Sequence, residues 1–415
     1  MKITLLIVIN LAIIYVLVAA PLGLRSFRMA RRMSASPDRV LSAIDPFGAN
    51  AGWSGTIVSV ERLPDGQGGE KRGEATLSWP GRDGLPIRRT IALNRFDGGF
   101  EERVTEDSSL DQSFWANWSN RVEVTGGAGD TLVSITRTDT YRGAAFLIFR
   151  WFAARRELHK LKVWAETGHY KAGGIFEHPV TQLGLAALSI LILWPVFGLD
   201  RTGFILSLTL TLVVAAHELG HLAAFRIMGH KKVRMIFIPV LGGIAIGGRP
   251  YDGRHEIAFV ALMGAGFSAF IVPVAILAHN HFAGTGHYGW AAFCGGLAAC
   301  AAFFNLANLA PMWKFDGGQV LRQITPEGWQ RTVAAMLLLM SMLGFGWLAG
   351  FPLPMLLVAG VVIALLSVIT ARSAVKPRHA MKPNTAMETA LIAAGLAAIV
   401  TIHGSGIIWA MTGFL

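Results

Sequence analysis

Apolar runs about twenty residues long recur along this chain, and they settle most of what it can become. A helix needs about 20 mainly apolar residues to cross the hydrocarbon core of a bilayer. Runs of that character are expected to span at 3–23, 178–199, 203–228, 256–279, 288–311, 329–350, 354–371 and 387–411. Eight such runs with mostly short connections predict a polytopic α-helical membrane protein with its helices packed as a bundle. Composition agrees: 53% of the 415 residues are hydrophobic and only 15% are charged, against roughly 25% charged in soluble domains. The charges concentrate between residues 25 and 171, so one polar domain is expected between the first run and the rest.

A net charge of +11 would suit nucleic acid, but no basic stripe interleaved with aromatics is present and no nucleic-acid partner is expected. The basic clusters "RSFRMARR" (25–32), "RIMGHKKVR" (226–234) and "RSAVKPRHAMK" (372–382) instead follow the ends of apolar runs. That distribution marks the cytoplasmic ends of spans. It predicts a multi-pass protein with its N-terminus outside and its polar domain in the cytoplasm. The first run also resembles a secretory signal peptide, but cleavage there would put the polar domain outside and leave the later basic loops unexplained. Cys294 and Cys300, the two cysteines, both fall in one apolar run, which rules out a disulfide framework and a C-x-x-C zinc site. Scarce cysteine and modest size suit a bacterial inner membrane.

One apolar run contains a costly interruption. "VVAAHELGHLAAFRIMGH" (213–230) places His217, Glu218 and His221 where lipid-facing residues are expected, and ionisable groups inside a membrane are functional suspects by default. The spacing H-E-x-x-H sets both imidazoles on one helical face, able to reach one Zn2+ ion, with the glutamate beside a bound water. Catalytic zinc takes three protein ligands and keeps one position open, so a third ligand is expected on another segment. The run 288–311 leads into "FFNLANLAPMWKFDGG" (303–318), which offers Asp316, two amides at helical spacing (Asn305 and Asn308), and the helix breaker Pro311. Gly317 and Gly318 would let the backbone pass close to the ion. Trp313 reads equally as a channel wall or as an interfacial aromatic.

The pair of motifs, His217-Glu218-x-x-His221 and Asn308-x-x-Pro311-x-x-x-x-Asp316-Gly317, resembles the site-2 protease family of intramembrane zinc metalloproteases. The resemblance covers roughly 178–371. It implies that His217, His221 and Asp316 are zinc ligands and that Glu218 is the general base. Asn308, and less directly Asn305, would then bind the backbone of a membrane-spanning protein substrate. "LMGAGFSAF" (262–270) departs from the family pattern, keeping Gly264 and Gly266 but lacking its proline and asparagine. "IFIPVLGGIAIGGRP" (236–250) suits a membrane-dipping hairpin whose edge could face an extended substrate. Two other function classes compete: a membrane scaffold or ligand-binding protein with an inactive protease-like core, and a metal transporter. The complete ligand set stands against the first, and the lack of an inverted repeat against the second.

The polar block has its own pattern. "SASPDRVLSAI" (34–44) reads as a capped helix. Six strand-like pieces follow, separated by turns such as "PDGQGGEKRG" and "GGAGD", and "AAFLIFRWFAARRELHKLKVWAETG" (144–168) reads as a long closing helix. This order resembles the START-like helix-grip fold, an α+β domain. The resemblance implies either a cavity for a lipid or other small hydrophobic ligand, or a filled core that recruits a partner. The same helix could also lie on a lipid bilayer surface. The expected division is an N-terminal anchor at 1–24, the START-like domain at 25–172, the metalloprotease core at 173–371, and a basic loop with a final helix at 372–415.

Overall fold

The computed structural model describes residues 15–16, 20–81, 85–127, 129–170, 178–230, 233–238, 242–249, 251–312, 315–370 and 381–414. Most of the first apolar run, Lys231 and Lys232, Trp313, and most of the basic loop 372–382 lie outside these residues. The chain divides into two units, one within Met1–Ala172 and the other within Gly173–Ala371 and Met381–Leu415.

The first unit opens with strand β1 (Pro21–Met33) and helix α1 (Pro37–Ile44). Strands β2 (Ile57–Leu63), β3 (Lys71–Pro80), β4 (Pro86–Phe96), β5 (Gly99–Asp107), β6 (Ser119–Gly127) and β7 (Asp130–Arg142) follow, and helix α2 (Ala144–Thr167) closes it. The sheet is antiparallel, in the order β1-β7-β6-β5-β4-β3-β2. Ser36 starts α1 by accepting the Arg39 N–H, with Pro37 in the first turn. Gly168 ends α2 in the left-handed conformation and donates its N–H to the Trp164 carbonyl. Phe100, Val122, Val124, Val133 and Ile135 recur at the two-residue spacing of strand faces. They pack with Leu158 and Leu161 of α2 and Val40 of α1 in one core. An antiparallel sheet packed on a long C-terminal helix is a helix-grip arrangement.

It has seven strands, not six. Residues 21–33 were expected to end a span and then hold it by charge; they pair with β7 from Pro21↔Arg142 to Met33↔Thr131. Residues 21–23, expected within the first span, therefore belong to the sheet. Arginines concealed the alternation: Phe27, Met29, Arg31 and Met33 are the more covered positions, while Arg28, Ala30 and Arg32 between them are exposed. An arginine stem lies easily on sheet while its head stays in water, and Arg28 and Arg32 pair with Glu123 and Asp130.

The second unit begins with α3 (Pro179–Phe197) and α4 (Arg201–Ile227), the latter capped by Asp200, which accepts the Gly203 N–H at 2.8 Å. A hairpin of β8 (Arg234–Ile238) and β9 (Gly242–Ile246) follows, within the stretch where a hairpin was expected. Then come α5 (Arg254–Ala269), α6 (Ile271–Gly284), α7 (Tyr288–Asn308), α8 (Asp316–Ile324), α9 (Trp329–Leu348), α10 (Leu353–Thr370) and α11 (Ala386–Trp409). The single span expected at 256–279 is two helices meeting at Phe270. Pro273 explains the break, since it has no N–H for the Ala269 carbonyl.

Among the described residues six helical stretches are long and apolar enough to cross a membrane: Pro179–Phe197, Arg201–Ile227, Arg254–Gly284, Tyr288–Asn308, Trp329–Leu348 and Ala386–Phe414. The apolar part of α10, Leu353–Ser367, is shorter. Rather than forming an appendage, α11 joins the same core as α5 and α7: Ile392, Leu396, Val400 and Ile407 pack with Ala258, Ala265, Ala301 and Ala302. Within α4 the hydroxyls of Ser207, Thr209 and Thr211 donate to carbonyls one turn back. No hydroxyl there is left unsatisfied in apolar surroundings.

The grip of the first unit also holds a polar row. Asn120 donates to Glu102 at 3.0 Å, and Arg137 reaches both Asn120 and Glu157 of α2. Burial raises the Glu102 carboxyl above its ordinary 4.5, partly opposed by the Asn120 hydrogen bond; burial likewise raises Asp139. A carboxyl raised in the folded state stabilises the fold fully below its unfolded value, and that contribution is lost as pH rises through the folded value. Unfolding midpoints of wild type and Glu102→Gln should therefore coincide near pH 4 and diverge upward, with the glutamine variant losing less stability towards neutral pH. Parallel curves across that window would show that Glu102 ionises without opposition.

Candidate metal centre

His217 and His221 lie one turn apart on the buried side of α4, their rings edge to face with centroids 4.7 Å apart. Each is oriented from behind. His221 Nδ1 lies 2.8 Å from the Val260 carbonyl of α5, a group that can only accept, so this nitrogen carries the proton. His217 Nδ1 lies 2.8 Å from Asn305 Oδ1 of α7. The amide of Asn305 donates its Nδ2 to the Ala301 carbonyl at 2.8 Å, which turns its oxygen towards the imidazole. His217 therefore also carries its proton on Nδ1.

Both Nε2 lone pairs then face forward, 3.1 Å apart. Asp316, the first residue of α8, brings a carboxylate oxygen to 3.0 Å from His217 Nε2 and 3.6 Å from His221 Nε2. That oxygen is buried and has no hydrogen-bond partner. Three such atoms within contact of one another repel at low dielectric unless a proton or a cation lies between them. A proton on one imidazole would relieve one contact; a divalent cation would relieve all three. Four-coordinate zinc with bonds of ~2.0–2.2 Å needs ligand atoms about 3.3 Å apart, and the three edges bracket that distance. Two histidines and a carboxylate thus fit the implied zinc by chemistry and by size. Among the described residues these three form the one group of three or more His, Cys, Asp or Glu able to share an ion.

Two close approaches make this convergence available. A side chain at Gly264 of α5 would collide with both rings, 2.5 Å from His221 Cε1 and 2.7 Å from His217 Cε1. At Gly317 and Gly318 it would strike the Leu309 and Met312 carbonyls. The glycines after Asp316 therefore let α8 press on the end of α7, instead of wrapping backbone around the ion. "LMGAGFSAF", which lacks the proline and asparagine, supplies the glycine where the ligands need room.

Glu218 is buried beside the ligands, and one of its carboxylate oxygens accepts the Gly243 N–H of β9 at 3.3 Å. That bond turns the outer edge of β9 towards α4, and Ala245, two residues on, presents its backbone on the same side. Next to this edge lies a cavity of about 140 Å³, lined by Leu193 of α3, Thr211 and Val214 of α4, Phe237, Gly242 and Phe304. The Phe304 ring also packs edge-on against His217 at 5.3 Å, so the cavity and the ligands share a wall.

The structure brings His217, His221, Asp316 and Glu218 together. Asn305, expected to bind substrate, is fully buried and hydrogen-bonded to His217. Asn308 is half-buried, donates to its own helix at the Phe304 carbonyl, and is not among the partners of the three ligands. The supporting Val260 carbonyl carried no signal in the sequence, since a backbone oxygen is the same at every residue.

Removing a group that orients a metal-binding histidine commonly lowers metal affinity about 10–100-fold. Asn305→Ala should show that loss in zinc competition against a chelator, with helical content retained, while Asn305→Asp keeps the acceptor and most of the affinity. Equal affinity in all three proteins would reduce Asn305 to packing.

No protein-family profile matches this chain, and no curated protein matches it. Solved structures do. A START superfamily protein from Mycobacterium smegmatis is 12% identical, with 32% of this chain and 90% of that one covered at a TM-score of 0.25. The Zhui aromatase/cyclase from Streptomyces sp. R1128 is 13% identical, with 36% and 99% covered at a TM-score of 0.26.

Proposed function

We propose that this chain is an intramembrane zinc endopeptidase of the site-2 protease type, hydrolysing peptide bonds in or near the membrane-spanning segments of protein substrates. The observation that carries this reading is the convergence of three potential ligand atoms, from His217, His221 and Asp316, beside the carboxylate of Glu218 in an apolar bundle. His217, His221 and Asp316 would hold the ion. Zinc bound there supplies Lewis-acid chemistry, making water more acidic and polarising a carbonyl.

The chain's own groups do the rest. Glu218 takes a proton from the attacking water as the new C–O bond forms at the carbonyl carbon. It then delivers that proton to the amide nitrogen as the C–N bond breaks, leaving a carboxylate and an amine. Its hydrogen bond to Gly243 aims the carboxylate while leaving the second oxygen for this traffic. A helical peptide bond is shielded by its own turn, so the substrate must unwind before it can be cut. The outer edge of β9 suits an unwound segment as an added strand, and the neighbouring cavity suits one of its apolar side chains. In this reading the N-terminus is outside, the helix-grip domain is cytoplasmic, and the membrane is the bacterial inner membrane. The helix-grip domain recruits a partner or senses a lipid or small hydrophobic ligand; such a ligand would have to displace part of the packing around Leu158 and Leu161.

Glu218→Gln tests the chemistry without disturbing the ligands. Purified full-length protein should cut a panel of single-span substrates, and the glutamine variant should bind the same zinc while cutting about 10²–10⁴-fold more slowly. Cleavage at the wild-type rate with zinc retained would sink the proposal.

A further inference from the structure

Helix α2 has two unlike halves. From Ala154 onward it buries Ala154, Leu158, Leu161 and Ala165 in the grip. The ten residues before, "AAFLIFRWFA" (144–153), bury none. Phe146, Ile148, Phe149 and Phe152 are 37%, 49%, 54% and 56% exposed. A contiguous exposed patch of that kind marks a surface that something covers.

Its position identifies the occupant. Gly143, the residue before α2, donates its N–H to the Ala20 carbonyl at 2.8 Å, and Pro21 pairs with Arg142. The apolar half of α2 thus starts at the point where the chain arrives from residues 3–20, which are almost wholly apolar in sequence. Exposed Leu24 lies four residues past that junction. Basic groups fringe the patch: Arg155 lies 5.5 Å from the Trp151 ring, and Arg25 is exposed on β1. Aromatic side chains with arginines beside them are the composition of surfaces seated at the headgroup level of an anionic bilayer.

We propose that residues 144–153 dock this domain onto the anionic bilayer that residues 3–20 enter, with Phe149 and Phe152 among the acyl chains and Arg155 at the headgroups. The inference rests on residues 3–20 being membrane-embedded and is independent of the peptidase reading. It gives the helix-grip domain a fixed face towards lipid instead of a free tether.

Full-length protein carrying Cys294→Ala and Cys300→Ala, with a single cysteine from Phe149→Cys, Phe152→Cys or Gln67→Cys, can be labelled with a polarity-sensitive dye. It would be placed in nanodiscs of mixed phosphatidylglycerol and phosphatidylcholine. All three positions are exposed, so labelling leaves the grip core intact. Labels at 149 and 152 should emit to the blue and lose about half their intensity to lipids with a doxyl group near the headgroup; the label at 67 should do neither. Quenching should weaken when phosphatidylglycerol is omitted. Water-like emission at 149 and 152 would overturn the proposal. So would blue emission without lipid quenching, which would mean that a second copy or the chain's own helices cover the patch.

Discussion

The close convergence of three side-chain atoms is the constraint around which the second unit is organised. His217 Nε2, His221 Nε2 and a carboxylate oxygen of Asp316 are held 3.0 to 3.6 Å apart, in surroundings that screen them poorly. Nothing in α4 alone would hold two imidazoles in that posture. The Val260 carbonyl and the Asn305 amide fix both tautomers from the rear, so α5 and α7 become part of the ligand geometry. The bare backbone at Gly264 is the other half of the same condition, because it lets α5 come near enough for its carbonyl to reach.

Around that point the bundle divides its labour. One side is closed by α5, α7 and α8, whose small residues allow backbones to approach. The other side carries Glu218, the outer edge of β9 and the cavity bounded by Leu193 and Phe304. That side gathers a buried carboxylate, a strand edge whose Gly243 N–H already holds that carboxylate, and a small apolar cavity. The hairpin is a regular two-stranded element, paired without a register shift from Arg234↔Ile246 to Ile238↔Gly242.

How far these features were legible in the sequence depended on whether they follow a period or a distance. His217, Glu218 and His221 stood out because one helical turn separates the two imidazoles, and Asp316 because it follows a helix-breaking proline at the end of a second apolar run. Asn305 was assigned to substrate because an amide near a metal can serve either purpose, and only a distance decides between them. Strand β1 was hidden because its alternating positions include arginine, which reads as charge in a sequence and behaves as a hydrocarbon stem on a sheet. Pro273 was visible as a helix breaker, yet the apolar run continued unbroken across it. The helix-grip order was legible from turn chemistry and the long closing helix, except for the strand that begins it.

The pairing of β1 with β7 sets a schedule for biosynthesis. Ser26 and Thr138 meet across the sheet but are 112 positions apart in the chain. A strand that leaves the ribosome first must therefore wait, unpaired, for the last one. Long-range closures of this kind form late. Until β7 and α2 have emerged, β1 remains an open edge joined directly to the apolar segment that precedes it. The chain then has only the residues between Thr167 and Pro179 before α3 begins. A pause in translation before β7 has emerged would therefore prolong the exposure of an unpaired strand edge.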